Sequence, residues 1–145
     1  VSYKVNTATT EEVLAHLKKC NDQFVPSLDK KVNLKSYAEK ITAYATRFEA
    51  WDDHELTGLV AGYFNSEKKE VFITNVSVMR RYSGKGIASQ LITDCIDYAH
   101  ADDFRLINLC VAENNKSAIG LYSKFGFKQT GHENDEIMMQ KELER

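Results

Sequence analysis

The chain runs to 145 residues, 43% of them hydrophobic and 28% charged, with a net charge of −2. These values suit one globular domain, residues 1–145, with a real core, and they lack the basic surplus of a nucleic-acid binder. No apolar run approaches membrane-spanning length and Val1–Lys4 holds no signal-peptide core, so a cytoplasmic location is expected.

Taken in order, Tyr3 to Asn6 reads as a short strand. Thr9 and Glu12 form a capping-box pattern that opens a helix, with Val13, Leu14 and Leu17 at helical spacing. That helix fades near Asn21. The only proline, Pro26, marks an irregular connection from Phe24 to Leu28. A second helix is predicted from Leu34 to Ala45, with Leu34, Tyr37, Ala38 and Ile41 on one face. Three strands follow as a meander: Thr46 to Trp51, Leu56 to Phe64 and Glu70 to Val78. A glycine turn leads into a helix from Ile87 to Ala101, and a strand runs from Arg105 to Val111. That strand–helix–strand unit predicts parallel, adjacent strands. A short helix over Ser117 to Phe125 stops at Gly126. Phe127 to His132 and Glu136 to Lys141 close the sheet as a hairpin. The fold class is α/β, a mixed sheet in the order β-α-α-β-β-β-α-β-α-β-β, with helices on both faces and one parallel central pair in a mostly antiparallel sheet.

Cys20, Cys95 and Cys110 are far apart, odd in number and without a Cys-x-x-Cys pair, so they read as buried free thiols in a reducing compartment. His16, His54, His100 and His132 are scattered and show no metal-ligand spacing, so no metal is expected.

The chemistry concentrates at Arg81-Tyr82-Ser83-Gly84-Lys85-Gly86, where a strand hands over to a helix. A helix start has unpaired N–H groups and a positive dipole end, and glycines let an anion approach them closely. The stretch therefore reads as a seat for a phosphate-bearing ligand. It fails the P-loop, because Gly86 follows Lys85 and no glycine lies five residues before Gly84. It fails the dinucleotide fingerprint, because Ser89 stands at the third glycine position. It fits Gln/Arg-x-x-Gly-x-Gly/Ala at every fixed position, and so resembles the acetyl-coenzyme A signature of the GNAT acetyltransferase superfamily. A second stretch, Asn115, Ala118, Leu121, Tyr122, Gly126 and Phe127, resembles the Asn-x-x-Ala-x-x-Leu-Tyr-x-x-x-Gly-Phe pattern common near the C-terminus of GNAT enzymes. The predicted element order is also the one that fold uses. The resemblance spans roughly residues 71–127; the N-terminal third has no comparable signature.

The resemblance implies roles. Backbone amides around Arg81, Ser83, Gly84, Lys85 and Gly86 would hold the coenzyme A pyrophosphate, with Ile87 and small Ala88 opening the helix beside it. Val76 and Val78 would lend main-chain groups to the pantetheine arm, which lies alongside the strand like an added strand. Many relatives have an arginine where Ser83 stands, so one charge is missing, and Arg80 or Lys85 can compensate. Asn115 would bond the pantetheine amide and cap the short helix; Lys116 is an additional contact. Tyr122 would be the general acid to the coenzyme A thiolate, since a phenol is protonated at neutral pH. For the base, Glu70 falls by spacing where some members keep a catalytic glutamate, although the charged run Glu67–Glu70 favours a solvated turn edge. Other branches use a glutamate on the next strand, where this chain has Cys110, read as a buried small side chain.

The implied activity is direct acetyl transfer from acetyl-CoA, as cosubstrate, to a primary amine. The acceptor is a small molecule, a peptide N-terminus or a lysine side chain. Its expected side of entry is formed by Phe24 to Leu28, the second helix and the last hairpin, with Phe24, Tyr37, Glu49 and Tyr82 shaping it. The alternative is a non-catalytic acetyl-CoA-binding regulatory module. Nucleic-acid and membrane partners are not expected, and both monomer and homodimer stay open.

Overall fold

A computed structural model describes residues 1–144. The strands are β1 (Ser2–Val5), β2 (Thr46–Asp52), β3 (Glu55–Asn65), β4 (Glu70–Val78), β5 (Leu106–Ala112), β6 (Lys128–Glu133) and β7 (Glu136–Glu142). The helices are α1 (Thr10–Cys20), α2 (Leu34–Tyr44), α3 (Ile87–Ala101) and α4 (Lys116–Lys124). All seven strands form one sheet, ordered β1-β2-β3-β4-β5-β7-β6. Every pairing is antiparallel except β4 with β5, the parallel pair that the strand–helix–strand unit predicts. The last hairpin docks through β7, not β6. Met139 is the buried residue of that hairpin and belongs to the α3 side of the core, which draws β7 against β5.

Strand alternation sorts the core into two layers. On β3, Val60 and Phe64 face the cluster under α3 and α4, while Leu59, Ala61 and Tyr63 face the cluster under α1 and α2. Helix α3 packs tightly on the sheet at Gly58, where a Cβ would lie 2.8 Å from Ile87 Cγ2. Helix α1 starts from the predicted capping box: Thr9 accepts from Glu12 N, and the Glu12 side chain accepts from Thr9 N.

Two local events open the sheet at its centre. Between β3 and β4 the register shifts, with Ala61 opposite Asn75 and Gly62 opposite Ile73, so Thr74 bulges out of the ladder. Its carbonyl accepts from the Tyr37 hydroxyl of α2 at 2.7 Å. Second, β4 pairs with β5 only over Glu70–Ile73 and Leu106–Leu109. Beyond that the two strands part, and β5 continues along β7 as far as Ala112.

Cys20 and Cys95 are buried free thiols, but Cys110 is exposed, which corrects the sequence expectation for it. Ile107, Leu109 and Val111 take the covered face of β5, so Cys110 falls on the opposite face. The cluster under α1 and α2 includes no residue of β5, β6 or β7. No helix among the described residues is long and apolar enough to cross a membrane. Nor do they hold a group of three or more His, Cys, Asp or Glu side chains placed to bind a metal.

Candidate active site

The gap between the parted strands is a cavity of about 580 Å³. One wall is the free stretch of β4 from Thr74 to Val78; the facing wall is β5 from Leu109 to Ala112. Ser83 and Ala88 from the turn into α3 join it, as do Asn115, Ala118, Leu121 and Tyr122 around the start of α4. The remaining boundary comes from the Phe24–Val32 connection, Tyr37 and Glu136.

The turn into α3 has the geometry of an anion seat. Gly84 and Gly86 adopt φ of +76° and +81°, and a Cβ on either would meet nothing within 4 Å. Gly86 is the N-cap of α3 and offers no side chain to that helix's first N–H groups. Those amides are open to a ligand, and no side chain crowds the approach. The basic residues are arranged differently. Arg81 pairs with Glu55 at the β2–β3 turn, Tyr82 donates to Asp52, and Lys85 Nζ lies 5.6 Å from the Tyr82 ring centroid. Arg81 therefore ties the turn to the neighbouring hairpin, the Ser83 hydroxyl donates to Arg80 O at 2.6 Å, and the main-chain amides are left to meet the ligand. Ile87 is buried against β3, and Lys116 is exposed.

Tyr122 is 7% exposed and packs with its ring centroid 6.0 Å from that of Phe127. Burial pushes its phenol up to about 12, and no hydrogen bond offsets the shift. It is thus fully protonated at neutral pH. Asn115 caps α4 by accepting from Ala118 N at 3.1 Å, and it also lines the cavity.

Of the sequence candidates, Val76, Val78, Ser83, Ala88, Asn115 and Tyr122 meet at this cavity. Glu70 does not line it. It sits at the opposite end of β4 and accepts from Asn108 Nδ2 at 3.3 Å. Glu49 is a core residue. Its carboxylate accepts from Thr7 N and Oγ1, Ala8 N and Trp51 Nε1, and so anchors the entry to α1. Tyr82 also stays off the cavity, whereas Phe24 and Tyr37 line it. Sequence reading missed Gln23, whose carboxamide, with its NH2 turned to Val78 O at 3.0 Å, also receives Arg80 N at 3.3 Å. It partly commits the Val78 carbonyl and leaves Val76 the freer neighbour for an extended ligand. A polar residue in the single 3-10 turn after α1 carries no local signal for such a contact. Glu136 is the one carboxylate in the wall, and Lys31 holds it at 3.4 Å.

A family model described as the acetyltransferase (GNAT) family matches residues 11–127. Among curated proteins, an uncharacterized N-acetyltransferase of Methanocaldococcus jannaschii is 38% identical over 66 residues, covering 45% of this chain and 29% of that protein. The matched stretches span between 29% and 59% of the length of the curated relatives. Among solved structures, the ribosomal-protein-S18-alanine N-acetyltransferase of Escherichia coli superposes with a TM-score of 0.80 at 17% identity, covering 99% of this chain and 96% of that one. The PaiA N-acetyltransferase of Thermoplasma acidophilum, in complex with coenzyme A, gives 0.79 at 13% identity, covering 98% and 99%. These two share the fold.

Proposed function

The chain belongs to the GNAT acetyltransferase family, and from that premise we propose that it transfers acetyl from acetyl-CoA to a primary amine by direct attack, with Tyr122 as the general acid. The observation that carries the reading is the cavity between the parted strands β4 and β5, with a buried, protonated phenol in its wall. The open glycine turn supports a diphosphate seat, and the free edge of β4 supports an extended pantetheine arm. The structural neighbour described in complex with coenzyme A adds weight to that cosubstrate.

In this mechanism the amine nitrogen forms a bond to the acetyl carbonyl carbon as the carbon–sulfur bond breaks. The electron pair goes to sulfur, which takes the Tyr122 proton. The amine's surplus proton leaves to water, and Tyr122 is reprotonated from the same pool. The cavity wall has no histidine, and its one carboxylate, Glu136, is paired with Lys31 at 3.4 Å, so in this reading the amine arrives neutral or sheds its proton to solvent. The route makes no use of Glu70, because that side chain is outside the wall. It predicts a kcat/KM that rises with pH toward the acceptor's own pKa.

The missing base also favours a second reading, an acetyl-CoA-binding regulatory module without turnover. Thiol release from acetyl-CoA, followed against a panel of polyamines, amino-terminal peptides and lysine peptides, separates the two. Acceptor-dependent thiol is expected. Saturable acetyl-CoA binding with no acceptor-dependent thiol across the panel would favour the module.

A further inference from the structure

In the reading above, the acceptor nitrogen attacks beside Tyr122, and coenzyme A takes the glycine turn and the free edge of β4. What the amine carries is then left with the rest of the cavity, under the Phe24–Val32 connection and along Phe72 and Cys110.

That half of the wall is apolar, and part of it is open to water. Phe72 is 42% exposed and Val25 58%. Phe24 and Val32 are half-buried and pack against the cluster under α1 and α2. Phe72 pairs with Asn108 of β5, a strand that contributes nothing to that cluster. An apolar group set down here would take this surface out of water.

The polar groups of the same half are already engaged. Tyr37 donates to Thr74 O at 2.7 Å. Asn75 Oδ1 accepts from Ser77 Oγ at 2.7 Å, and the Asn75 nitrogen is out of reach of solvent. Cys110 offers only a thiol, a weak donor. The wall holds two charged side chains, Lys31 and Glu136, and they face each other at 3.4 Å. Their side chains are 39% and 45% exposed, and they join the Phe24–Val32 connection to the last hairpin, so the pair stands at the rim. Glu133, opposite Glu136 in the hairpin, and Asp135 lie outside the wall, where water and salt screen them. Glu113 is held by His132 at 2.7 Å.

We propose that the acceptor is a primary monoamine with an apolar body, aromatic or branched, lying on Phe72 under the Phe24–Val32 connection, and that Lys31 disfavours polyamines by masking Glu136, the one carboxylate in the wall. The assignment rests on the acetyl-transfer reading and names its substrate class. A polyamine in this half would bring a second ammonium up to the Lys31 ammonium with no free anion to meet it. Phe72 and Lys31 thus set specificity, and neither takes part in the chemistry.

The test compares phenethylamine and isopentylamine with cadaverine on the full chain, by thiol release from acetyl-CoA. The better of the two monoamines is expected to have a kcat/KM at least about tenfold above that of cadaverine. Lys31→Met is expected to raise kcat/KM for cadaverine about fivefold and to leave the monoamines within about twofold. Adding Glu136→Gln to it is expected to cancel the gain. Phe72→Ser, at a site already open to water, is expected to raise KM for the better monoamine about fivefold, with acetyl-CoA affinity within about twofold. Cadaverine turned over as well as the monoamines, or no gain for it in Lys31→Met, would overturn the assignment and leave acetyl transfer standing. So would a monoamine KM unmoved in Phe72→Ser, shown to be folded by its circular dichroism and melting curve. A wild-type chain that releases no thiol with any amine, these three and the panel included, would bring down the acetyl-transfer reading and this assignment with it.

Discussion

The two sides of the cavity are built on different principles. The side proposed for the acetyl donor is main chain: the free edge of β4, two left-handed glycines and the uncapped start of α3. The side proposed for the acceptor is side chain: Phe24, Val25, Leu28, Tyr37 and the Lys31–Glu136 pair. Main-chain recognition depends on backbone conformation, which few residue types can supply, so it leaves a fixed signature in the sequence. Side-chain recognition can be built from many combinations, and it can change while the donor side stays the same.

That contrast can be broken or sharpened by experiment. The largest effect is expected on the donor side, from Gly84→Glu. Nothing within 4 Å obstructs a Cβ there, but φ is +76°, so the fold should survive at a cost of about 1–2 kcal/mol. The carboxylate would meet the diphosphate seat, and calorimetry is expected to show acetyl-CoA affinity down by about a hundredfold or more. Normal affinity would show that the turn is not the seat.

The buried layer under α1 has its own signature, in stability. Burial lowers the pKa of His16 from 6.5 to about 4 in the folded chain. Between those values the unfolded chain binds more protons, so stability falls as pH drops through the window, by about 3 kcal/mol in all. Urea melts from pH 7.5 to 4 are expected to show that slope, and His16→Gln to flatten it. A slope unchanged in His16→Gln would mean that the ring is not held neutral. The smallest effect is expected from Glu70→Gln. Glu70 is outside both walls, and turnover should stay within about threefold. A loss of a hundredfold would restore it as the base and redraw the site.

The same contrast explains how much could be read in advance. The element order, the parallel β4–β5 pair and the glycine turn follow from periodicity and capping, and the structure has each of them. Three features needed the assembled sheet. Glu49 had the look of a site carboxylate, but the turn at Thr7–Ala8 folds its amides onto it. Cys110 had the look of a core residue, because strand alternation does not say which face is left uncovered. The buried run of hydrogen bonds from His16 through Ser77 to Asn75 joins residues about sixty positions apart, and no local pattern marks it.

The claim that most depends on the whole arrangement is the acid role of Tyr122, and Tyr122→Phe tests it most directly. Steady-state turnover and acetyl-CoA affinity would be measured on the same preparation. The account predicts kcat lower by about a hundredfold with affinity within about twofold, since only the proton donor is lost. Turnover equal to wild type would contradict it.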